Sequence, residues 1–276
     1  MQAHEVEAMI REYGLDARLC PASNLLFFGL CETRNLKETE MSYAAYQDTV
    51  AAEAPAEVRA EFIRQTYLHL GGAILAFTLL CKGLVQSSFA PKMLAWLSTG
   101  SLNWLMVLGA FCVAGWVAER WAMSATSIGQ QYFGLALYVV AEAILFVPIL
   151  FMAANFSEPS VIPTAGILTA ITFGGLTLTV FITKKDFSFL GRALQLGFFA
   201  AMGFIVVGMM FGFTLGAFFS AAMVVLAGGA VLYSTSQVLH TYPVGSHVAA
   251  SLALFASLAT MFFYILRLVM AFSSDD

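Results

Sequence analysis

The chain has 276 residues, 60% of them hydrophobic and 11% charged, and its mean hydropathy is +0.82. A water-soluble domain carries about 25% charged residues, so this composition excludes a soluble globular protein and makes the lipid bilayer the first partner. The net charge is −4 and no basic cluster exists beyond Lys184-Lys185, which gives no footing to nucleic acid.

Residues 1–60 hold most of the acids and read as a cytosolic polar tail, partly disordered. The run LLFFGLC (25–31) is too short to cross a bilayer. The mixed, acidic N-terminus does not resemble a signal peptide. VAAEAPAEVRAEF (50–62) reads as a linker running into an amphipathic helix, after which residues 61–276 form a transmembrane domain. The four cysteines, Cys20, Cys31, Cys81 and Cys112, have no CxxC or CxxH spacing, so neither a metal site nor a disulfide framework is expected.

A spanning helix needs about 20 mostly apolar residues. Seven stretches approach or meet this: 66–85, 102–118, 133–154, 161–182, 193–213, 215–238 and 248–272. The first contains Lys82, whose long stem lets its ammonium reach the interface. The second is short and borrows from LAWLS (94–98). No Asp, Glu, Lys or Arg occurs from Ala193 to Leu266, and 193–242 is too long for one crossing. The break is placed at GFTLG (212–216), where two glycines permit a tight turn. Gly208, Gly212, Gly216 and Ser220 recur every four residues, a spacing that lets helices approach closely in lipid, as AGGA (227–230) does. Pro148 and Pro163 are tolerable in membrane helices. With the N-terminus inside, Arg59, Arg64, Arg120, Lys184, Lys185 and Arg192 lie on the inner side, against Lys82, Lys92 and Arg267 outside. That excess sets an N-in orientation.

Ionisable groups at mid-bilayer need a reason to be there. Glu142, in YVVAEAILF, sits near the middle of the third span with no other charge between Trp121 and Ser157. It reads equally as the wall of a cation path or as a protonated, hydrogen-bonded group. Arg267 near the end of the seventh span snorkels. Arg120 beside Glu119 reads as an interfacial anchor. An imidazole is the side chain whose charge can change in the physiological range, so His69, His240 and His247 are candidate switches, though the last two, at the loop between spans six and seven, read rather as solvated groups. The seventh span lacks a lysine for retinal, and HExxH, GxSxG and paired membrane aspartates are missing, so no enzyme and no cofactor are expected.

Four segments in order resemble the Bax inhibitor-1 family, whose bacterial members include YccA-like proteins: FIRQTYLHLGGAILAF (62–77), FITKKDFSFLGRAL (181–194), VLYSTSQVLHTYP (231–243) and HVAASLALFASLATMFFYILRL (247–268). The resemblance covers about residues 60–272. It implies an all-α membrane protein of seven helices, six around a central last helix. It also implies one of two activities: a pH-sensitive calcium leak, or regulation of cell death or of a membrane-bound AAA protease. In the family the leak is attributed to two aspartates, in helices six and seven, helped by a basic residue on helix two. The matching positions here are Ser234 and Ser257, and Arg120 lies near the basic one. A serine hydroxyl supplies no charge, and calcium sites draw on carboxylates, so the aspartate mechanism does not carry over and no bound metal is expected.

Ser234, Gln237 and Thr241 share one helical face, which Ser257 and Thr260 can meet from the seventh helix. This gives either an uncharged plug or plain hydroxyl glue between helices. Two functions stay open. One is a slow leak for calcium or other cations, with Glu142 in the path and no aspartate pair. The other is a regulator, YccA-like, that binds a membrane protease or another partner through residues 1–60. The membrane expected is a bacterial cytoplasmic membrane in preference to endoplasmic reticulum.

Overall fold

In a computed structural model the chain divides into two units, 1–45 and 46–276. The structure describes residues 49–124, 127–212 and 216–273, all in the second unit. The expected polar tail up to residue 48, with its LLFFGLC run, lies outside the described residues.

The described residues are helical, apart from turns and one isolated bridge between Val50 and Pro243. The helices are α1 Ala56–Gln86, α2 Phe89–Leu97, α3 Ser101–Ala122, α4 Ile128–Phe156, α5 Val161–Thr183, α6 Leu190–Phe211, α7 Ala217–His240 and α8 His247–Ser273. All but α2 are long and apolar enough to cross a membrane, which makes seven spans. Large apolar side chains stand exposed along them, such as Leu75, Trp116, Ile171, Leu196 and Val225. A bundle that turns such residues outward has lipid for its solvent.

Each helix follows from its residues. On α1 the buried positions are Val58, Phe62, Thr66, Leu70, Ala73, Phe77 and Cys81. They form one stripe at helical spacing, and it faces α4 and α8. The helix starts ten residues before the expected span, so the segment read as an amphipathic entry is continuous with the first crossing. LAWLS does not extend the second span. It ends the separate helix α2, whose Ala90, Met93 and Leu97 pack on Val147 of α4. Pro91 falls in the first turn of α2, where a missing N–H costs nothing. The Asn103 amide donates to the Trp96 carbonyl (2.7 Å) and so satisfies the end of α2 from within α3.

The break between α6 and α7 falls at the two glycines. Gly212 takes a left-handed φ of 73° and donates to the Gly208 carbonyl (2.9 Å), and Gly216 begins α7. The glycine stripe is thus split between two helices, as the turn requires. AGGA serves packing: a methyl on Gly229 would lie 3.0 Å from Leu194 of α6, and one on Gly228 would lie 3.4 Å from Leu176 of α5.

The last helix is the centre. Half of its apolar window is buried, against 6% for α3. It packs on α1, α3, α4, α5 and α7. The remaining span, α6, lies mostly on α7 and reaches α8 where Ala201 meets Tyr264. Aromatic rings fill the middle. Phe77 meets Phe146 edge-on at 5.1 Å and Phe255 at 5.7 Å, and Phe146 packs on Phe262 and Phe263. Lipid gives no hydrophobic drive to pair helices, so such ring contacts and close backbones carry the association.

Helix alternation brings the start of α1, the α3–α4, α5–α6 and α7–α8 connections to one end, called here the proximal end. The segment before α1 is tied there. The Ala51 N–H donates to the Tyr242 carbonyl (2.9 Å), and the Val244 N–H to the Thr49 carbonyl (3.0 Å).

Among the described glycines, the closest approach to a neighbouring backbone is at Gly134 of α4, where a Cβ would stand 2.5 Å from the Ala118 carbonyl oxygen and 2.7 Å from the Ala122 nitrogen. Gly134→Ala must push α3 away from α4 and is expected to cost about 1–3 kcal/mol. Thermal unfolding in detergent should show a clear fall in Tm, while Gly109→Ala, with nothing within 4 Å, should show none.

Candidate functional site

The polar stretch at the end of α7 is buried rather than wet. Ser234, Thr235 and Ser236 are all in the interior, and the helix runs on to His240. The Gln237 carbonyl closes it by accepting from the N–H groups of Thr241 (2.8 Å) and Tyr242 (3.0 Å). Ser234 faces α8, and its Oγ lies 2.9 Å from Oγ of Ser257. The Ser257 hydroxyl donates to the Ala253 carbonyl (2.9 Å). A hydroxyl has one proton, so Ser234 is the donor between the two. The pair is neutral and 7–8% exposed. Beside it, the hydroxyls of Tyr67, Thr177 and Thr235 are buried without a well-formed hydrogen bond among the described residues, and Tyr67 is close enough to interact with both threonines.

The other residues singled out from the sequence do not join this pair. Thr260 donates to the Ala256 carbonyl of its own helix (2.9 Å). Thr241 is exposed at the helix end, and Gln237 is half-buried with no side-chain hydrogen bond to Ser234 or Ser257. Arg120 is exposed, with its guanidinium 5.4 Å from the centre of the Trp116 ring. Glu142 is 3% exposed in α4, and its Oε2 has no partner among the described residues.

A second polar cluster comes from residues that the sequence analysis left unjoined. Asp186, in the α5–α6 connection, accepts through Oδ1 from the Ser188 N–H (2.8 Å) and the Ser188 hydroxyl. The Asp-x-Ser order of KKDFS is the signal for such a turn. The fully buried Ser236 of α7 donates to the same Oδ1 (3.3 Å) and accepts from the Phe187 N–H (2.9 Å). The His240 Nδ1 lies 3.0 Å from the Ser236 carbonyl, so this nitrogen carries the proton. Aspartate, serine and histidine meet here, but not as a nucleophile and base, because both sides of the Ser236 hydroxyl are engaged. The cluster is a strap that holds the α5–α6 connection to α7. The Ser188 hydroxyl and N–H, then Ser236 and the nearby His240, hold the Asp186 carboxyl below its usual value of 3.8.

A third polar contact joins α1, α4 and α8. His69 Nδ1 faces the Gln65 carbonyl (2.7 Å), so Nε2 accepts from the Tyr132 hydroxyl (2.8 Å). The His247 ring lies 5.0 Å from that of His69. Among the described residues no three of His, Cys, Asp and Glu converge to hold a metal.

The model of the family described as inhibitor of apoptosis-promoting Bax1 matches residues 59–274. The chain belongs to the Bax inhibitor-1 family. It is 25% identical over 235 residues to Bax inhibitor 1 of Schizosaccharomyces pombe, covering 83% of each chain. It is 28% identical over 159 residues to an uncharacterised protein of Pseudomonas aeruginosa, covering 57% of this chain and 68% of that one. It is 29% identical over 109 residues to the modulator of FtsH protease YccA of Escherichia coli K12, covering 39% of this chain and 49% of that one. The same protein from another Escherichia coli strain is described as an inner membrane protein.

As a member of the Bax inhibitor-1 family, the chain is a multi-pass membrane protein that brings two hydroxyls together at Ser234 and Ser257. For the strap, Ser236→Ala should orphan the Phe187 N–H, at a local cost of about 1–3 kcal/mol. Amide exchange at 187–188 should speed up while α8 stays protected. The depressed value of Asp186 fixes the sign with pH. Its contribution is complete above the ordinary carboxylate value and is lost as pH falls through the lower folded one. Exchange at 187–188 should therefore rise only in strong acid, and Asp186→Asn should abolish that step.

Proposed function

We propose that this protein is a membrane-embedded regulator that acts by binding a partner in the bilayer, a membrane-bound AAA protease in particular, and not through a carboxylate-gated calcium path. The observation that carries the reading is the direct Ser234–Ser257 hydrogen bond, at the places that resemble the family's aspartates. A neutral pair neither attracts a divalent cation nor responds to pH, since neither hydroxyl titrates in the range a cell meets. The ring-filled centre at Phe77, Phe146 and Phe255 supports a packed core over an open path. The name of the YccA relative supports the protease as partner. The excess of Arg and Lys at the proximal end supports placing that end in the cytosol, where the acidic residues 1–60 meet the partner as a tail preceding the membrane domain of 61–276. A bacterial cytoplasmic membrane fits this partner.

Affinity purification of the tagged full chain from its native membranes should recover a membrane-bound protease, and raising the chain's level should slow degradation of that protease's membrane substrates. An unchanged degradation rate with no protease recovered defeats the reading. Calcium-loaded liposomes carrying the chain should stay tight. The double variant Ser234→Asp/Ser257→Asp, whose two carboxylates would crowd onto a shared proton, should show a pH-dependent permeability that the parent lacks.

One observation favours a second reading, a slow cation leak. Among the described residues, Glu142 keeps a buried oxygen without a partner, and a buried acceptor without a donor is available to a passing cation. If the parent liposomes leak, Glu142→Gln should cut the flux several-fold, and an equal flux removes Glu142 from the path.

A further inference from the structure

We propose that the proximal cavity between α3, α4 and α8 binds an organic ammonium cation. The cavity is half-enclosed, with a volume of about 410 Å³, within the size range of small-molecule sites. Four rings line it: Phe111 and Trp116 of α3, Tyr138 of α4, and Tyr242 of the α7–α8 connection. Phe111 and Tyr138 are inclined to each other with centres 5.9 Å apart, as two walls of one corner. The opposite wall is small-residue backbone of α8 at Ala253, which leaves the space open.

Glu119 is the charged residue on this lining, and no Lys, Arg or His shares it. Its carboxylate forms no ion pair among the described residues. It is close enough to interact electrostatically with both Tyr138 and Tyr242.

This lining selects a chemistry. An anion would meet a carboxylate and four lining aromatic rings. A bare divalent metal requires several oxygen ligands, and one carboxylate is present. A purely apolar guest would gain nothing from the Glu119 carboxylate on the lining. An alkylated ammonium satisfies all parts, because aromatic faces attract a cation whose outer surface is methyl or methylene while a carboxylate balances its charge. The chain already uses one of these rings for a cation, since the Arg120 guanidinium rests 5.4 Å from the Trp116 centre. Glu119 and Trp116 are exposed at the end of a span, where headgroups or solutes can reach them. The guest is either a lipid headgroup amine or a free ammonium solute, with the same recognition in both cases. Binding here requires neither a charge at the serine pair nor a protease.

The test is calorimetric titration of the purified full chain in phosphatidylglycerol nanodiscs with choline, and with its neutral carbon isostere dimethylbutanol. Choline should bind saturably and the isostere should not. Glu119→Gln and Trp116→Leu, both at exposed positions and expected to fold, should each weaken choline by about fivefold. Tyr242→Phe should retain binding and Tyr242→Leu should weaken it. Absence of choline binding, equal binding of the isostere, or full affinity in both the Glu119 and Trp116 variants overturns the assignment. Repeating the titration in phosphatidylcholine discs separates the sources. A loss of apparent choline affinity makes the headgroup the occupant, and an unchanged value makes it a free solute, each with the ammonium site intact.

Discussion

Hydrocarbon offers no hydrogen bond, so the backbone groups that the chain carries into the membrane must find their partners in the protein, and its hydroxyls gain by doing the same. The central helix α8 shows what this constraint does. It is surrounded by other helices, and its Ser251, Ser257 and Thr260 hydroxyls each donate to a carbonyl of their own helix. Such back-bonding leaves the oxygen lone pairs free. Ser257 is the place where a second helix uses one, through the Ser234 hydroxyl. Among the described residues this is the side-chain hydrogen bond that joins α7 to the central helix α8.

That bond also separates this chain from the mechanism the family resemblance suggests. Two carboxylates at this spacing would repel when ionised and would share a proton otherwise, which makes a helix pair with two states. Two hydroxyls have one state across the physiological range. On the proposed reading, what remains for regulation is at the membrane edge. The Asp186 strap joins the α5–α6 connection to α7, and the Thr49–Ala51 segment joins the α7–α8 connection to the start of α1.

The spans were legible because lipid imposes one simple rule of length and polarity, and the glycine break at 212–216 followed from the same rule. The stop at α2 was not legible. LAWLS is apolar enough to belong to either neighbour, and its end is capped by Thr99 and by the Asn103 amide reaching back to the Trp96 carbonyl, the latter a contact between residues seven apart. Ser234 facing Ser257 could be anticipated only as a shared side, since periodicity gives a face but not which neighbour meets it. Ser236 points the other way, toward Phe187, nearly fifty residues earlier in the chain. Nothing in the local pattern of YSTSQ distinguishes these two serines. Their roles differ because 3.6 residues per turn sends neighbours two apart to opposite sides.

The same geometry supports the proximal end as the docking face of the proposed regulator. Tyr242 and Val244 are held by backbone bonds from the segment before α1, and the residues just before them are held through Ser236 and His240 by the α5–α6 strap. A connection tied from two sides loses little freedom when a partner arrives, and less ordering on binding leaves more of the contact energy as affinity. The ring-lined cavity opens beside this same connection through Tyr242. A cation bound there would bear on Tyr242 directly, and so on the surface a partner meets, without any change in the neutral pair deeper in the membrane.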